Sequence, residues 1–246
     1  MKLRNPIDRL DLSIKNNYRV LEVGGGHNPH PRANVVVDKF TDSNYHRSGD
    51  IKVLKNQEFL CADGENLPFD NNSFDYVVCC QVIEHVDDPI KFVKEQSRIA
   101  PRGYIETPSL IGEYLIPKES HRWVILEIDN KIVMYEKEKI DFKSNNDFGY
   151  VFLEYLPKVS IGYKVLQRTH FNIISINYEW KDNIEILVNP DSSYYSDFFT
   201  KPWDHEVCNN LLKNKNLSKE FIWSMNAFID VCKKAFKSKV LRYQKL

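Results

Sequence analysis

The sequence has no long apolar run and no excess of charge of either sign. Its 246 residues include 34 Lys and Arg against 34 Asp and Glu, so the formal net charge is zero. A neutral chain has no general attraction for nucleic acid or for an anionic membrane surface. No stretch approaches the roughly 18 apolar residues that a membrane-spanning helix needs, and the first residues contain no apolar signal region. These absences predict a soluble, cytoplasmic protein with no nucleic-acid partner and no membrane span.

Paired cysteines are missing as well. The five cysteines include no C-x-x-C pair and have no spacing typical of a metal site. Cys79 and Cys80 are adjacent in an apolar run, so we expect them to be small buried hydrophobic residues. The cysteine usage therefore predicts a reducing compartment and no metal ligands.

A short apolar strand followed by three glycines organises the chain. Residues 19–23 are typical of a strand buried on both faces of a parallel sheet, and residues 24–26 are all glycine. Glycine adopts positive φ readily and lets a ligand lie against the backbone. Ligands of open α/β sheets bind beyond the carboxyl ends of the strands. We therefore predict a ligand site here, with Glu22 accepting hydrogen bonds from the loop amides.

Two further predicted strands, residues 35–38 and 58–62, have an acid at their carboxyl ends. Asp38 can bind both hydroxyls of a ribose, and the alternative is that it caps a turn. Asp63 can accept a hydrogen bond from an exocyclic amine such as adenine N6. The connection at residues 27–34 is short and contains two prolines, so we expect a loop there in place of a helix.

The alternation of strand and helix continues to about residue 108 and then breaks. Residues 1–17 are expected to form a short helix or arm over the sheet edge. An inserted cover over the ligand face is predicted at about 108–170, with a β-hairpin at 123–135. A strand pair at 172–188 is expected to close the sheet with one antiparallel strand.

We predict one domain over residues 1–190 and a helical appendage of it over 191–246, with helices at 204–213 and 217–241. The basic residues from Lys213 onward are either a solvated helix face or a contact for an anionic group.

The combined pattern resembles the class I S-adenosylmethionine-dependent methyltransferases from about residue 18 to residue 108. The matching motifs are Val20-Leu-Glu-Val-Gly-Gly-Gly26, Val35-Val-Val-Asp38, Cys61-Ala-Asp63, Leu67-Pro-Phe69, Ser73-Phe-Asp75 and Val82-Ile-Glu-His-Val86 before Asp87-Asp-Pro89. The resemblance implies an α/β, Rossmann-like sheet of seven mostly parallel strands with a reversed last strand. It also implies S-adenosylmethionine as the cofactor.

The resemblance implies roles for individual residues. The glycine loop would contact the methionine part of the cofactor, Asp38 with its neighbour Lys39 the ribose, and Asp63 with Gly64 the adenine. Gln81 would lie along the methionine end. The loop residues in this set are Glu22, Gly24, Gly25, Gly26 and Asn28. The chain departs from the family at residues 27–31, where the first helix usually begins, and a backbone nest from Gly26 to Asn28 could bind the carboxylate instead.

A looser resemblance concerns the acceptor of the methyl group. The segments Tyr104–Ser109 and Ser120–Trp123 resemble methyltransferases encoded with bacterial surface-polysaccharide enzymes. The implied reaction is methyl transfer to an oxygen or nitrogen of a small molecule, most of all a sugar or glycan precursor. The sequence leaves an oligomer open.

Three residues are candidates for the base that takes the proton of an acceptor hydroxyl. His85 follows Glu84 near the expected methyl group, and the alternative is that it packs against or caps the next helix. His121 lies beside Arg122 and Trp123, which suit a polar ring, and Glu106 lies at the end of a further predicted strand, residues 103–107. An amine acceptor needs no strong base.

Two other functions remain open at this point. A nicotinamide-dependent oxidoreductase uses a similar loop and acid, but the glycine spacing is not G-x-G-x-x-G, and no Tyr-x-x-x-Lys element lies in a plausible helix after the predicted strands at 74–80 and 103–107. A catalytically silent cofactor-binding module would keep the fold without turnover, and the proline-rich loop motivates this alternative.

Overall fold

The computed structural model describes residues 1–46, 49–212 and 216–243, with side chains described as far as residue 236. The strands are β1 (Lys2–Arg4), β2 (Val20–Val23), β3 (Val35–Asp38), β4 (Glu58–Cys61), β5 (Tyr76–Cys80), β6 (Arg102–Pro108), β7 (Trp123–Ile128), β8 (Lys131–Glu136), β9 (Ser175–Lys181) and β10 (Ile186–Val188). The α-helices are α1 (Pro89–Ile99), α2 (Leu110–Leu115), α3 (Leu156–Val159), α4 (Ile161–Thr169), α5 (Ser193–Thr200), α6 (His205–Leu212) and α7 (Leu217–Tyr243). Short 3-10 turns lie at Ile83–His85, Lys137–Ile140 and Phe171–Ile173, and a π-helical segment at Tyr150–Tyr155.

Seven strands form the main sheet in the order β1-β9-β6-β5-β2-β3-β4. The strands from β2 to β6 pair in parallel, whereas β9 is antiparallel to both β6 and β1. β9 is also the last strand of this sheet along the chain. The prediction of a mostly parallel seven-stranded sheet with a reversed last strand is therefore confirmed.

Two predictions need correction. The first residues are not a helix, because β1 is itself the edge strand beside β9, and the rest of the N-terminal segment lies as an extended arm with Leu12 and Ile14 against the sheet. The strand pair at 172–188 does not close the main sheet as a unit, because β10 pairs in parallel with β8 in a second sheet of order β10-β8-β7. Both strands have only three residues, so their pairing depends on distant partners and has little local signal.

The main sheet is covered on both faces. On one face, the side chains of Leu21 and Val77 join a core that also contains Phe92 from α1 and Ile125 and Met134 from the second sheet. On the other face, Leu12, Ile14 and Tyr18 pack against residues that include Val20 and Tyr76. The connection from β2 to β3 contains no helix, as predicted from its prolines. The cover of the second face is therefore the extended N-terminal segment.

The inserted segment contributes β7 and β8 of the second sheet and the helical pieces up to α4. β7 and β8 pack on the main sheet with one face and on Phe198 and Phe199 of α5 with the other. The domain division at residue 190 stays a prediction.

No helix within the described ranges is long and apolar enough to cross a membrane. The basic stretch predicted from Lys213 onward lies in part outside the described residues, namely at 213–215 and 244–246.

Candidate functional site

A cavity of about 280 Å³ lies at the carboxyl ends of β2, β3 and β5. It forms there because parallel neighbouring strands end at the same edge of the sheet. Seven of the residues predicted to bind a cofactor line it, namely Gly24, Gly26, Asp38, Lys39, Asp63, Gly64 and Gln81. Of the three candidate bases, only His85 is among the lining residues.

Gly24 lies in a backbone conformation that excludes a side chain. Its φ is 72°, and its N–H donates to the carbonyl of Val37 at 2.7 Å. A Cβ at this position would be 2.2 Å from Cγ2 of Val82. Gly26 also has a positive φ, of 50°. The loop therefore turns away from the end of β2 with its backbone facing the cavity.

Glu22 lies on the opposite face of the sheet from this cavity. Its carboxylate accepts the backbone N–H of His30 and a hydrogen bond from Nη2 of Arg9 at 3.0 Å. Burial raises the pKa of Glu22 to about 7, and the Arg9 guanidinium opposes this rise. A Cβ on Gly25 would approach this carboxylate to 3.2 Å, and Asn28 N–H donates to the Gly25 carbonyl at 3.2 Å. Glu22, Gly25 and Asn28 thus lie behind the lining and contribute to the shape of the loop.

Asp38 and Asp63 both line the cavity, at the ends of neighbouring strands. Oδ1 of Asp38 accepts the N–H of Phe40 at 3.0 Å. Asp63 forms an ion pair with Lys39 at 2.8 Å. Partial burial alone would raise the pKa of Asp63, but the hydrogen bond from Lys39 holds it below its usual value. The adjacent Gly64 has no room for a side chain, because a Cβ there would be 2.7 Å from the ring of Phe92.

Gln81 has a left-handed backbone, which is uncommon for a residue with a side chain. Its φ is 57°, directly after β5 ends at Cys80. The Gln81 N–H donates to the carbonyl of Glu106 at 2.8 Å, and its side-chain amide lies 3.3 Å from Oε1 of the same residue. Strained backbone of this kind concentrates at functional sites. Glu106 lies behind Gln81, accepts the hydroxyl of Tyr104 at 2.8 Å, and does not line the cavity.

His85 and His121 lie side by side at one end of the cavity, with ring centroids 4.7 Å apart. Nδ1 of His85 is 2.8 Å from the carbonyl oxygen of Ser120. Burial lowers the pKa of His85 to about 4, so its imidazole is neutral at neutral pH. Nδ1 of His121 is 2.6 Å from Oε2 of Glu113, and His121 itself is buried.

Glu84, Glu113 and His46 join these histidines, and none of the three was among the site residues predicted from the sequence. Burial raises the pKa of Glu84 to about 7. Burial alone would raise the pKa of Glu113 too, but hydrogen bonds from His121 and Lys137 lower it. Nδ1 of His46 lies 3.3 Å from Nδ1 of His85. Glu113 lies in α2, inside the inserted segment, where no motif marked it.

Arg122 and Trp123, which were expected to hold a polar ring, bind other parts of the protein instead. Trp123 is buried, and its indole N–H donates to the carbonyl of Val86 at 2.7 Å. Arg122 pairs with Glu136 at 2.6 Å and with Asp87 at 3.2 Å. These two side chains are therefore not available as a platform for a sugar.

Comparison with known proteins finds relatives among methyltransferases. Residues 37–105 match the model of a family described as a methyltransferase domain. A malonyl-[acyl-carrier protein] O-methyltransferase of Marinomonas sp. is 30% identical over 102 residues, which are 41% of this chain and 37% of that protein. The mitochondrial ubiquinone biosynthesis O-methyltransferase of Arabidopsis thaliana is 28% identical over 117 residues, 40% of this chain and 36% of that protein. The chain thus spans less than two fifths of the length of either relative.

Among solved structures, the PH0226 protein of Pyrococcus horikoshii is similar at 18% identity. The likeness covers 69% of this chain and 84% of that one, with a TM-score of 0.37. The matched residues 37–105 run from β3 to β6 and include the acids and the Gln81 turn of the cavity. This match supports an S-adenosylmethionine-dependent methyltransferase and implies S-adenosylmethionine as the cofactor.

Proposed function

We propose that the chain transfers the methyl group of S-adenosylmethionine to an oxygen or nitrogen of a small molecule. The observation that carries this proposal is the convergence of Gly24, Asp38, Asp63 and Gln81 on one cavity. Each of these residues is suited to contact one part of the cofactor, namely the methionine, the ribose or the adenine. The nicotinamide-dependent alternative is not favoured, since the family match is to a methyltransferase domain.

The proposed cofactor position follows the lining from β3 to β5. The carboxylate of Asp38 binds the two ribose hydroxyls, and Asp63 with Gly64 borders the adenine. The methionine part lies against the exposed backbone of Gly24 and Gly26, and Gln81 lies along it. This arrangement brings the sulfonium methyl to the end of the cavity near His85.

The reaction is an in-line displacement at that methyl group. A lone pair of the acceptor oxygen forms the new O–C bond while the C–S bond breaks and its electron pair stays on sulfur. The products are the methylated acceptor and the neutral thioether S-adenosylhomocysteine, and the hydroxyl proton leaves the acceptor. The sulfonium is already activated, so the protein mainly positions the reactants and excludes water.

His85 has one ring nitrogen free for the acceptor. Its Nδ1 donates to the Ser120 carbonyl, which leaves a lone pair on Nε2. That nitrogen can accept the hydroxyl proton itself or can bind a cation that acidifies the hydroxyl. His121 and Glu106, the other two candidates, do not line the cavity, which supports placing the acceptor beside His85.

A sugar or glycan precursor is the acceptor that we propose. Its support is the likeness of residues 104–109 and 120–123 to methyltransferases encoded with surface-polysaccharide enzymes. Both relatives above are O-methyltransferases by name, although they act on other substrates, and this favours oxygen as the methylated atom. A cytoplasmic location, which suits soluble sugar precursors, and the absence of a nucleic-acid partner remain predictions from the sequence.

The test is the formation of S-adenosylhomocysteine by the purified chain with a panel of nucleotide sugars and oligosaccharides. We expect product with at least one acceptor, and loss of product in Gly24→Ala, whose methyl would collide with Val82. Cofactor binding without S-adenosylhomocysteine in any mixture would instead support the catalytically silent module. If S-adenosylhomocysteine forms only with acceptors that lack a sugar, the glycan assignment is refuted, whereas the methyltransferase activity is supported.

A further inference from the structure

We infer that Glu84, His85 and His121 form a binding site for a divalent transition-metal ion at the acceptor end of the cavity. One carboxylate oxygen and one nitrogen from each ring lie within 4.8 Å of one another. Glu84 and His121 are buried and His85 lines the cavity. The cysteine spacing gave no metal site, because these ligands come from two separate segments of the chain.

Both histidines are held in the form that a metal needs. Nδ1 of His85 is 2.8 Å from the carbonyl oxygen of Ser120, which can only accept, so Nδ1 must donate. Nδ1 of His121 is 2.6 Å from a carboxylate oxygen of Glu113. A neutral imidazole with its proton on Nδ1 has its lone pair on Nε2. Metal-bound histidines usually donate their other N–H to a carbonyl or carboxylate in this way.

Glu84 supplies a carboxylate oxygen that lacks a partner. Its Oε2 accepts the hydroxyl of Thr107 at 3.0 Å. Its Oε1 is fully buried and has no hydrogen-bond partner in the described structure, and it faces Nε2 of His121 at 4.0 Å. A buried oxygen of this kind is costly unless a donor or a cation reaches it.

The cationic side chain that binds Glu113 does not fill this role. Lys137 Nζ binds Oε1 of Glu113 at 2.6 Å and the carbonyl of Lys118 at 2.8 Å. Glu113 is therefore committed to Lys137 and His121, whereas Glu84 is not. The Glu113 carboxylate thus holds His121 from behind, and Oε1 of Glu84 remains available to an ion.

The spacing of the three atoms suits an ion after a small contraction. Bonds of about 2.0–2.1 Å in a tetrahedral site place neighbouring ligand atoms about 3.3 Å apart. The 4.0 Å between Glu84 and His121 therefore has to shorten by about 0.7 Å, and a separation at the 4.8 Å limit by about 1.5 Å, which rotations of the three side chains can supply. Two imidazoles and one carboxylate favour Zn²⁺, Co²⁺, Fe²⁺ or Mn²⁺ over Mg²⁺ and Ca²⁺, which prefer all-oxygen sites.

The role of the ion rests on the proposed function. Three protein ligands leave at least one coordination position open, on the side where His85 borders the cavity. An acceptor hydroxyl bound there has a lowered pKa, as metal-bound water has, and its proton passes to bulk water. Such an ion would position the acceptor oxygen opposite the sulfonium and make a separate protein base unnecessary.

The test is Co²⁺ and Zn²⁺ binding to the untagged, metal-free protein, followed by the visible absorption of Co²⁺ and by calorimetry. We expect one ion per chain for each metal, and at least tenfold weaker binding with loss of the Co²⁺ spectrum in His121→Ala and in Glu84→Gln. The control is His205→Ala, whose side chain is exposed at the start of α6. Wild-type affinity in both site variants, or absence of a Co²⁺ spectrum in the wild type, would refute the site.

Two further measurements separate this inference from the proposed function and from a folding defect. S-adenosylmethionine is titrated into the metal-free wild type. Absence of cofactor binding there would refute the proposed function and would leave the metal site untouched. Urea unfolding of metal-free Glu84→Gln should show stability equal to or above the wild type, because a neutral amide replaces an unpartnered buried carboxylate. A variant that is stable and has weakened metal binding shows that Glu84 is a ligand.

Discussion

At Gly64, both the cavity and the packing of the core require a residue without a side chain. It borders the cavity beside Asp63, and a Cβ would lie 2.7 Å from Phe92 and 2.9 Å from Val23. Phe92 and Val23 belong to the core between the main sheet and α1, so neither side chain can move freely. The glycine thus lets α1 pack closely under the floor of the cavity.

We predict that Gly64→Ala lowers the free energy of unfolding by about 1–3 kcal/mol, the usual cost of overpacking a core. The measurement is urea denaturation followed by circular dichroism. The matched control is Gly162→Ala in α4, where a Cβ would meet only Oγ of Ser160 at 3.9 Å. That variant should be as stable as the wild type or slightly more stable, since alanine favours helix. Equal stability of the two variants would contradict the close packing at Gly64.

At the scale of single elements, α1 is the helix that closes the underside of the cavity, and its start is well specified. Asp88 is the N-cap, and its Oδ1 accepts the N–H groups of Ile90 and Lys91, each at 3.0 Å. Pro89 occupies the first helical position. An acid followed by proline is a local signal for such a start, because capping depends on neighbouring residues alone.

Removal of this cap should destabilise the protein by about 1 kcal/mol, the typical cost of losing an N-cap side chain. The variants are Asp88→Ala and, as the conservative control, Asp88→Asn, whose amide oxygen can still accept both N–H groups. Thermal unfolding of the two should place Asp88→Ala below Asp88→Asn and the wild type. A melting temperature of Asp88→Ala equal to that of the wild type would show that Asp88 does not stabilise the helix.

The sequence predicted the longer strands of the main sheet well and the shortest ones poorly. The strands from β2 to β6 have apolar runs or acids at their ends, so local pattern identifies them. β1 and β10, of three residues each, pair with β9 and β8 through contacts distant in sequence. Their positions follow from which edges remain free after the rest has folded, and local pattern carries no information about this.

At the scale of the whole molecule, the two ends of the cavity differ in how far sequence could predict them. Asp38 and Asp63 meet because they follow neighbouring parallel strands, and the topology alone requires this. His121 reaches His85 only because the inserted segment returns over the 3-10 turn, where the Arg122 N–H donates to the carbonyl of Glu84 at 2.9 Å. The partner of His121, Glu113, belongs to the same insertion. No motif describes it, so the sequence identified the histidines and missed the carboxylates around them.

The central claim is that this cavity binds S-adenosylmethionine through the acids at the strand ends. The most direct measurement is isothermal titration of the cofactor into the wild type, Asp38→Ala and a control, Asp42→Ala. Asp42 lies in the same loop region but outside the lining. We predict binding by the wild type and by Asp42→Ala, at least tenfold weaker binding by Asp38→Ala, equivalent to about 1.4 kcal/mol, and no binding of NAD. Absence of binding by the wild type, or equal affinity in Asp38→Ala, would contradict the account.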